Sequence, residues 1–125
     1  MSRVRFREAK ALLVKGLPNG AYYLSGLAVE AALKACIARD TKRHDFPEKT
    51  KVDKSFSHDL PQLLKVAVLE HQLVMDRTIA GLATNWAMVK DWQVTSRYKD
   101  SIDTKTALDF YRAARGVVTW LRRFW

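Results

Sequence analysis

Apolar residues recur along this chain mainly at intervals of three and four, the period of an amphipathic helix. No segment shows the two-residue alternation that is typical of a half-buried strand. Five segments are therefore predicted to be helices. Their predicted ranges are 2–14, 21–39, a short stretch starting at 60, 70–91 and 104–124.

Residues that break or cap helices mark most of the boundaries. Residues 16–20, Gly-Leu-Pro-Asn-Gly, predict a turn after the first helix. The charged stretch 40–57 has no periodicity, which predicts a long loop. Asp59 and Asp103 each precede an apolar segment and are predicted to cap it. Gly81 falls inside the fourth segment, where a helix can tolerate it.

The faces of the second and last helices indicate how the chain packs. The second is apolar on nearly every side, which is typical of a central helix with several neighbours. The last is amphipathic, with arginines opposite its apolar stripe. That stripe consists of Ala107, Phe110, Ala114, Val117 (or Val118) and Leu121. Short connections favour antiparallel neighbours, so we expect one all-α domain over 1–125, an up-and-down antiparallel bundle of about five helices.

Positive charge is concentrated at the two ends of the chain. The formal net charge is +9. Residues 1–15 hold five basic residues and one acid, and residues 112–125 hold four arginines and no acid. Such asymmetry indicates nucleic acid or an acidic protein as a partner, and a merely solubilising surface is the alternative. The predicted basic patch comprises Arg3, Arg5, Arg7, Arg112, Arg115, Arg122 and Arg123.

Several classes of chemistry are not expected from this sequence. The five glycines match neither of the glycine-rich phosphate-binding patterns, and the three histidines do not have metal-ligand spacing, so no cofactor and no metal are predicted. The single cysteine, Cys36, excludes an internal disulfide framework and favours a reducing cytoplasm. No apolar run is expected to span a membrane.

Six residues are candidates for a binding site. Glu30 and Lys34 form an i, i+4 pair on the face of the second helix that also carries Tyr23. The pair is either an ordinary surface salt bridge or, because its helix is otherwise apolar, the lining of a cleft or subunit interface. Beside the Asp59 cap, His58 is a candidate for the mouth of that cleft. Near Trp86 and Trp92, Arg97 and Tyr98 suit either core packing or stacking on a base.

The segment 21–35, Ala-Tyr-Tyr-Leu-Ser-Gly-Leu-Ala-Val-Glu-Ala-Ala-Leu-Lys-Ala, resembles the signature helix of the HEPN family, the nucleotide-binding domains of higher eukaryotes and prokaryotes. His58-Asp59-Leu60, Trp92, Arg97-Tyr98 and a last helix ending in aromatics follow in the family's order. The resemblance implies a five-helix bundle that is often dimeric. It also implies links to RNA, toxin–antitoxin pairs, phage defence or a partner nucleotidyltransferase.

Many HEPN proteins are metal-independent ribonucleases with an Arg-x(4–6)-His motif. Here no histidine follows Arg97 at that distance. Arg39 and His44 have the spacing, but they straddle the end of a predicted helix, and about 0.8 such pairs are expected by chance. We therefore expect a non-catalytic module that binds RNA, a nucleotide or a partner protein, and that forms a homodimer. The alternatives are a ribonuclease toxin, in which Arg39 and His44 meet across the dimer, and a structural or antitoxin-like protein.

Overall fold

The computed structural model describes residues 1–43, 53–98 and 101–125, with the side chains of 42 and 43 excepted. Over these ranges the chain forms six α-helices and no strand, which confirms the prediction of an all-α bundle. The helices are α1 (Ser2–Val14), α2 (Pro18–Arg43), α3 (Leu60–Val66), α4 (Glu70–Met75), α5 (Leu82–Val89) and α6 (Thr104–Leu121). Short 3-10 turns follow at Asp76–Thr78, Val94–Tyr98 and Arg122–Phe124.

The second helix is longer than its sequence predicts. It begins at Pro18. Proline suits the first helical position, because the N–H group that it lacks would have no partner there. It continues to Arg43, so the predicted loop over 40–57 is wrong for its first four residues. Residues 44–52 of that loop lie outside the described residues.

The single helix predicted over 70–91 is wrong. The chain instead forms α4, a 3-10 turn and then α5, with Gly81 between them. Gly81 has φ +79°, a left-handed conformation that interrupts a right-handed helix and that glycine adopts without a steric penalty. The glycine that was expected to be tolerated inside the helix is therefore the residue that begins a new one.

Helix α2 is the centre of the bundle and contacts α1, α3 and α6. Its residues Ala28, Val29 and Leu33 are completely buried, as the apolar pattern predicts. A connection of three residues joins α1 to α2. Helices α2 and α6 run in the same direction, as two contacts between them show. Near their starts, the Ile102 N–H group donates a hydrogen bond to Asn19 Oδ1. Toward their ends, Cys36 Sγ lies 3.6 Å from the Leu121 carbonyl oxygen.

Both predicted helix caps are confirmed. The Asp59 carboxylate accepts a hydrogen bond of 3.1 Å from the Gln62 amide, and Asp103 accepts one of 2.7 Å from the Thr106 amide. The apolar stripe of α6 is buried as predicted. Three arginines opposite that stripe are exposed: Arg112 and Arg115 in α6, and Arg122 directly after it.

One helix reaches membrane-spanning length, contrary to expectation. By length and composition alone, the 24 residues from Pro18 to Thr41 are apolar enough to cross a membrane. A buried core helix passes the same test, and 56% of the most apolar stretch is covered by the rest of the bundle. The apolar character of α2 therefore has a sufficient cause in its packing.

Candidate functional site

Two helices from opposite ends of the sequence form a groove lined with positive charge. We define the basic groove by Arg3, Arg7 and Lys10 of α1 together with Arg115 of α6 and Arg122, which directly follows α6. Its volume is about 330 Å³. The remaining described residues of the lining are Phe6, Tyr111, Val118 and Thr119, none of which is acidic.

Helical spacing and one aromatic contact build this groove. Arg3, Arg7 and Lys10 follow one another at intervals of four and three, which places them on one face of α1. The rings of Phe6 and Tyr111 meet edge to face with their centroids 5.8 Å apart, and this contact holds α1 against α6. The charged faces of the two helices are therefore neighbours.

The charges in the groove are largely uncompensated. Arg115 donates a hydrogen bond of 3.4 Å to the Tyr111 hydroxyl and lies 5.8 Å from the centre of that ring. Arg3, Arg7, Lys10 and Arg122 form no ion pair or hydrogen bond with the side chains that the structure describes. Uncompensated like charges repel one another, and an anionic ligand would relieve that repulsion.

Three arginines of the predicted patch lie elsewhere. Arg5 Nη1 is 2.6 Å from Glu8 Oε1, so its charge is compensated within α1. Arg123 Nη1 is 3.8 Å from Asp76 Oδ2, and Arg123 lines a separate pocket with Arg39. Arg112 is exposed on α6 but does not line the groove. The structure thus brings together Arg3, Arg7, Arg115 and Arg122, and adds Lys10.

A second group of charged residues lies between α2 and the start of α3. We define the Glu30 cluster as Glu30, Lys34 and His58. The Glu30 side chain is only 10% exposed, and its two oxygens are 2.7 Å from His58 Nδ1 and 3.5 Å from Lys34 Nζ. The predicted contact between Glu30 and Lys34 is therefore present, and His58 is a second partner of Glu30. Both carboxylate oxygens are occupied, so the buried charge of Glu30 is compensated.

The next residues on the same face of α2 hold the segment around Trp92. A Cβ atom added at Gly26 would lie 2.1 Å from the Trp92 indole, so the indole fits only against a glycine. The Tyr23 ring is 6.1 Å from the Trp92 ring. Trp92 thus belongs to the core rather than to a stacking surface.

Arg97 is exposed, but tyrosines fix its orientation. Its Nη2 donates a hydrogen bond of 2.7 Å to the Tyr98 hydroxyl, and its guanidinium lies 4.8 Å from the centre of the Tyr98 ring. The hydrogen bonds with Tyr98 and, to a smaller extent, with Tyr23 raise the pKa of Arg97. Tyr98 is 71% exposed, so this stacked pair faces solvent.

The predicted cleft contains only one of its expected residues. His58 lines a cavity of about 410 Å³ together with Lys90, Trp92, Gln93 and Thr95 among others. Glu30, Lys34 and Arg97 do not line it. Glu30 is connected to this cavity only through its contact of 2.7 Å with His58 Nδ1. The six candidate binding residues therefore do not line one cleft. They form two adjoining groups, which are the Glu30 cluster and the group of Tyr23, Arg97 and Tyr98.

The pair proposed for catalysis is only half described. His44 lies outside the described residues. Arg39 Nη1 donates a hydrogen bond of 2.8 Å to the Trp125 carbonyl oxygen. Among the residues that the structure covers, no cluster of histidine, cysteine or acidic side chains is suited to holding a metal.

Sequence reasoning missed Lys10 as a member of the groove, although it shares the helical spacing of Arg3 and Arg7. It also missed Lys90, Gln93 and Thr95 beside His58, for which the sequence carries no periodic signal. Comparison of the chain with protein families, curated proteins and solved structures gave no match. Membership of the HEPN family therefore stays a prediction, as do the homodimer and the nucleotidyltransferase or antitoxin partner.

Proposed function

We propose that this chain is a non-catalytic helical module that binds the phosphate groups of nucleic acid in the basic groove. The observation that carries the proposal is the set of five cations, from both ends of the chain, that face one groove without an acidic partner among the residues described. The resemblance of α2 to the HEPN signature makes RNA the nucleic acid expected in the cell, although contacts to phosphate alone do not distinguish RNA from DNA. By the same resemblance, the module would serve a toxin–antitoxin, defence or nucleotidyltransferase-linked system.

Phosphate is the anion that this lining suits best. Four of the five cations are arginines, whose planar guanidinium group can donate two parallel hydrogen bonds to one phosphate. Each phosphate that the protein neutralises also releases condensed counterions, which adds a favourable term at low salt. A groove with several such contacts gains affinity without reading a base.

The lining also favours binding over turnover. Cleavage of RNA through its 2′-hydroxyl needs a group that exchanges a proton near neutral pH, most often histidine or a carboxylate. Among the residues that the structure describes, no histidine, aspartate or glutamate lines the groove. Together with the absence of a histidine four to six residues after Arg97, this lining supports a module that holds its ligand unchanged.

Fluorescence anisotropy with a labelled RNA strand tests the proposal directly. At low salt we expect saturable binding, and the logarithm of the affinity should fall by roughly 0.7 per contacted phosphate for each decade of salt. The variant Arg7→Gln removes a groove cation and should weaken binding by roughly tenfold, the usual effect of losing one hydrogen bond to a charged group. The matched control is Arg5→Gln, which removes an arginine of the same helix whose charge is already paired with Glu8.

The same experiment separates the alternatives. An affinity that does not change with salt concentration would reject the groove as the binding surface. So would equal losses of affinity from Arg7→Gln and Arg5→Gln. Electrophoresis of the RNA recovered from the assay tests the ribonuclease alternative: cleavage that disappears in His44→Ala would establish it. Competition by polyglutamate as strong as that by RNA would instead indicate an acidic protein as the partner.

A further inference from the structure

The basic groove is charged on both of its walls. The cations of α1 face those of α6 across the space that a ligand would occupy. A ligand inside it would meet positive charge on two sides at once. One strand of nucleic acid fits this requirement, because each phosphate carries oxygens on both sides of the backbone.

The usual spacing of packed helices makes the groove too narrow for a duplex to enter. The axes of two packed helices are about 8–10 Å apart, and the groove lies between the side chains of such a pair. The major groove of a DNA duplex is by itself about 12 Å wide. A duplex would therefore rest on the rims and leave part of each cationic row unused.

In the part of the chain that the structure describes, the floor of the groove offers no surface on which bases could stack. Phe6 and Tyr111 are its aromatic residues, and they are only 7% and 8% exposed because their rings pack against each other. Proteins that hold single strands by their bases do so on exposed aromatic faces. Here the phosphates would face the protein and the bases would face solvent.

The length of the cationic rows sets the number of phosphates. Arg3 and Lys10 are seven residues apart, as are Arg115 and Arg122, so each row extends about 10 Å along its helix. A stacked strand advances about 3.4 Å per phosphate, so about three phosphates fit along the rows.

We infer that the basic groove binds a single strand of nucleic acid by about three consecutive phosphates, without regard to base sequence. This inference rests on the proposed function and narrows its ligand. Because phosphates are common to both, RNA and DNA strands are expected to bind alike. Preference for one sequence would have to come from residues outside the groove.

The test compares unstructured strands of about 12 nucleotides, within the usual range of single-strand site sizes, with duplexes of the same length. The intact chain is titrated at several salt concentrations into oligo-U, oligo-A, a DNA strand and the duplex. We expect single strands to bind at least tenfold more tightly than the duplex. Oligo-U, oligo-A and the DNA strand should agree within about threefold, with a salt slope of about −2.

Different outcomes reject different claims. Equal or tighter binding of the duplex overturns the single-strand inference and leaves the proposed function intact. If the chain binds oligo-U and oligo-A with very different affinities and Arg7→Gln removes that difference, the groove reads bases. The inference that it contacts only phosphates is then rejected. Failure of every nucleic acid to bind at low salt rejects the proposed function itself. Arg112→Gln is the control on α6, because Arg112 is exposed beside the groove without lining it, and it should leave single-strand binding unchanged.

Discussion

The basic groove and the Glu30 cluster both concentrate charge, but only one of them is compensated. In the Glu30 cluster a nearly buried carboxylate has a cationic or histidine partner on each oxygen. In the basic groove four exposed cations have no partner among the residues described. The packing of the fold accounts for the first arrangement. The second is not compensated by the residues described, and under the proposed function a bound phosphate would compensate it.

The two regions also differ in how the sequence builds them. Glu30, Gly26 and Tyr23 are neighbours on one face of α2, and that face attaches His58 and the segment around Trp92 to the central helix. The groove instead needs residues about a hundred positions apart to meet. Changes on the α2 face should therefore alter stability, whereas changes in the groove should alter binding.

The largest loss of stability is expected from Gly26→Ala. The added methyl group would lie 2.1 Å from the Trp92 indole, which is buried and cannot move aside easily. Overpacking of this kind costs roughly 1–3 kcal/mol, more than the gain in helix propensity of up to about 1 kcal/mol. The free energy of unfolding, measured by urea denaturation, should fall accordingly.

Gly20→Ala is the matched control for that substitution. Its methyl group would lie 2.8 Å from Cδ1 of Leu12, the end of a flexible and only partly buried side chain. Both glycines lie in α2, so the gain in helix propensity applies to each. If Gly26→Ala proved as stable as Gly20→Ala, Trp92 would not be held against α2 as described.

A smaller loss of stability is expected from Glu30→Gln. The amide can still accept a hydrogen bond from His58, but it no longer attracts Lys34, and a charge-assisted bond becomes a neutral one. We expect a loss of about 1 kcal/mol in the free energy of unfolding.

The control is Asp109→Asn, which removes the acid of an exposed i, i+4 pair with Lys105 and should change stability by less than about 0.5 kcal/mol. Equal effects of Glu30→Gln and Asp109→Asn would show that burial adds nothing to the Glu30 cluster. Loss of nucleic-acid binding in Glu30→Gln at full stability would contradict the division between the two regions.

Local signals predicted most of the fold. The caps at Asp59 and Asp103 were predictable because an aspartate before an apolar-periodic segment satisfies backbone amides within three residues. The break at Gly81 was not, because glycine inside an apolar segment is compatible both with a continuous helix and with a left-handed turn, and tertiary contacts decide between them.

The candidate site was predictable only where it depends on one helix. The spacing of Glu30 and Lys34 fixed their contact, and the spacing of Arg3, Arg7 and Lys10 fixes one wall of the groove. Net charge could not distinguish paired from unpaired arginines. The charge of Arg5 is neutralised by Glu8 within its own helix, whereas the acid near Arg123 is Asp76, which is distant in sequence.

The smallest effect is expected from Asp76→Asn, and it should depend on pH. Hydrogen bonds from the Trp120 indole and then from the Gln72 amide hold the pKa of Asp76 below its ordinary value of 3.8. A depressed pKa in the folded state means that the carboxylate stabilises the fold above the ordinary pKa and that this contribution is lost as the pH falls through the folded pKa.

The difference in urea midpoint between the parent chain and Asp76→Asn should therefore be constant from pH 7 to about 5 and shrink below pH 4. Acids common to both proteins, including the Asp103 cap, cancel in this difference.

The substitution also leaves Arg123 without its nearby acid, as Arg122 already is in the groove. If the fold tolerates unpaired arginines after the end of α6, as Arg122 in the groove implies, the difference at pH 7 will be small and will come from the hydrogen bonds rather than from Arg123. A difference that disappears in high salt at pH 7 would instead assign it to Arg123. It would mean that uncompensated charge at this end of the chain lowers stability, and the same would then hold for Arg122 in the groove.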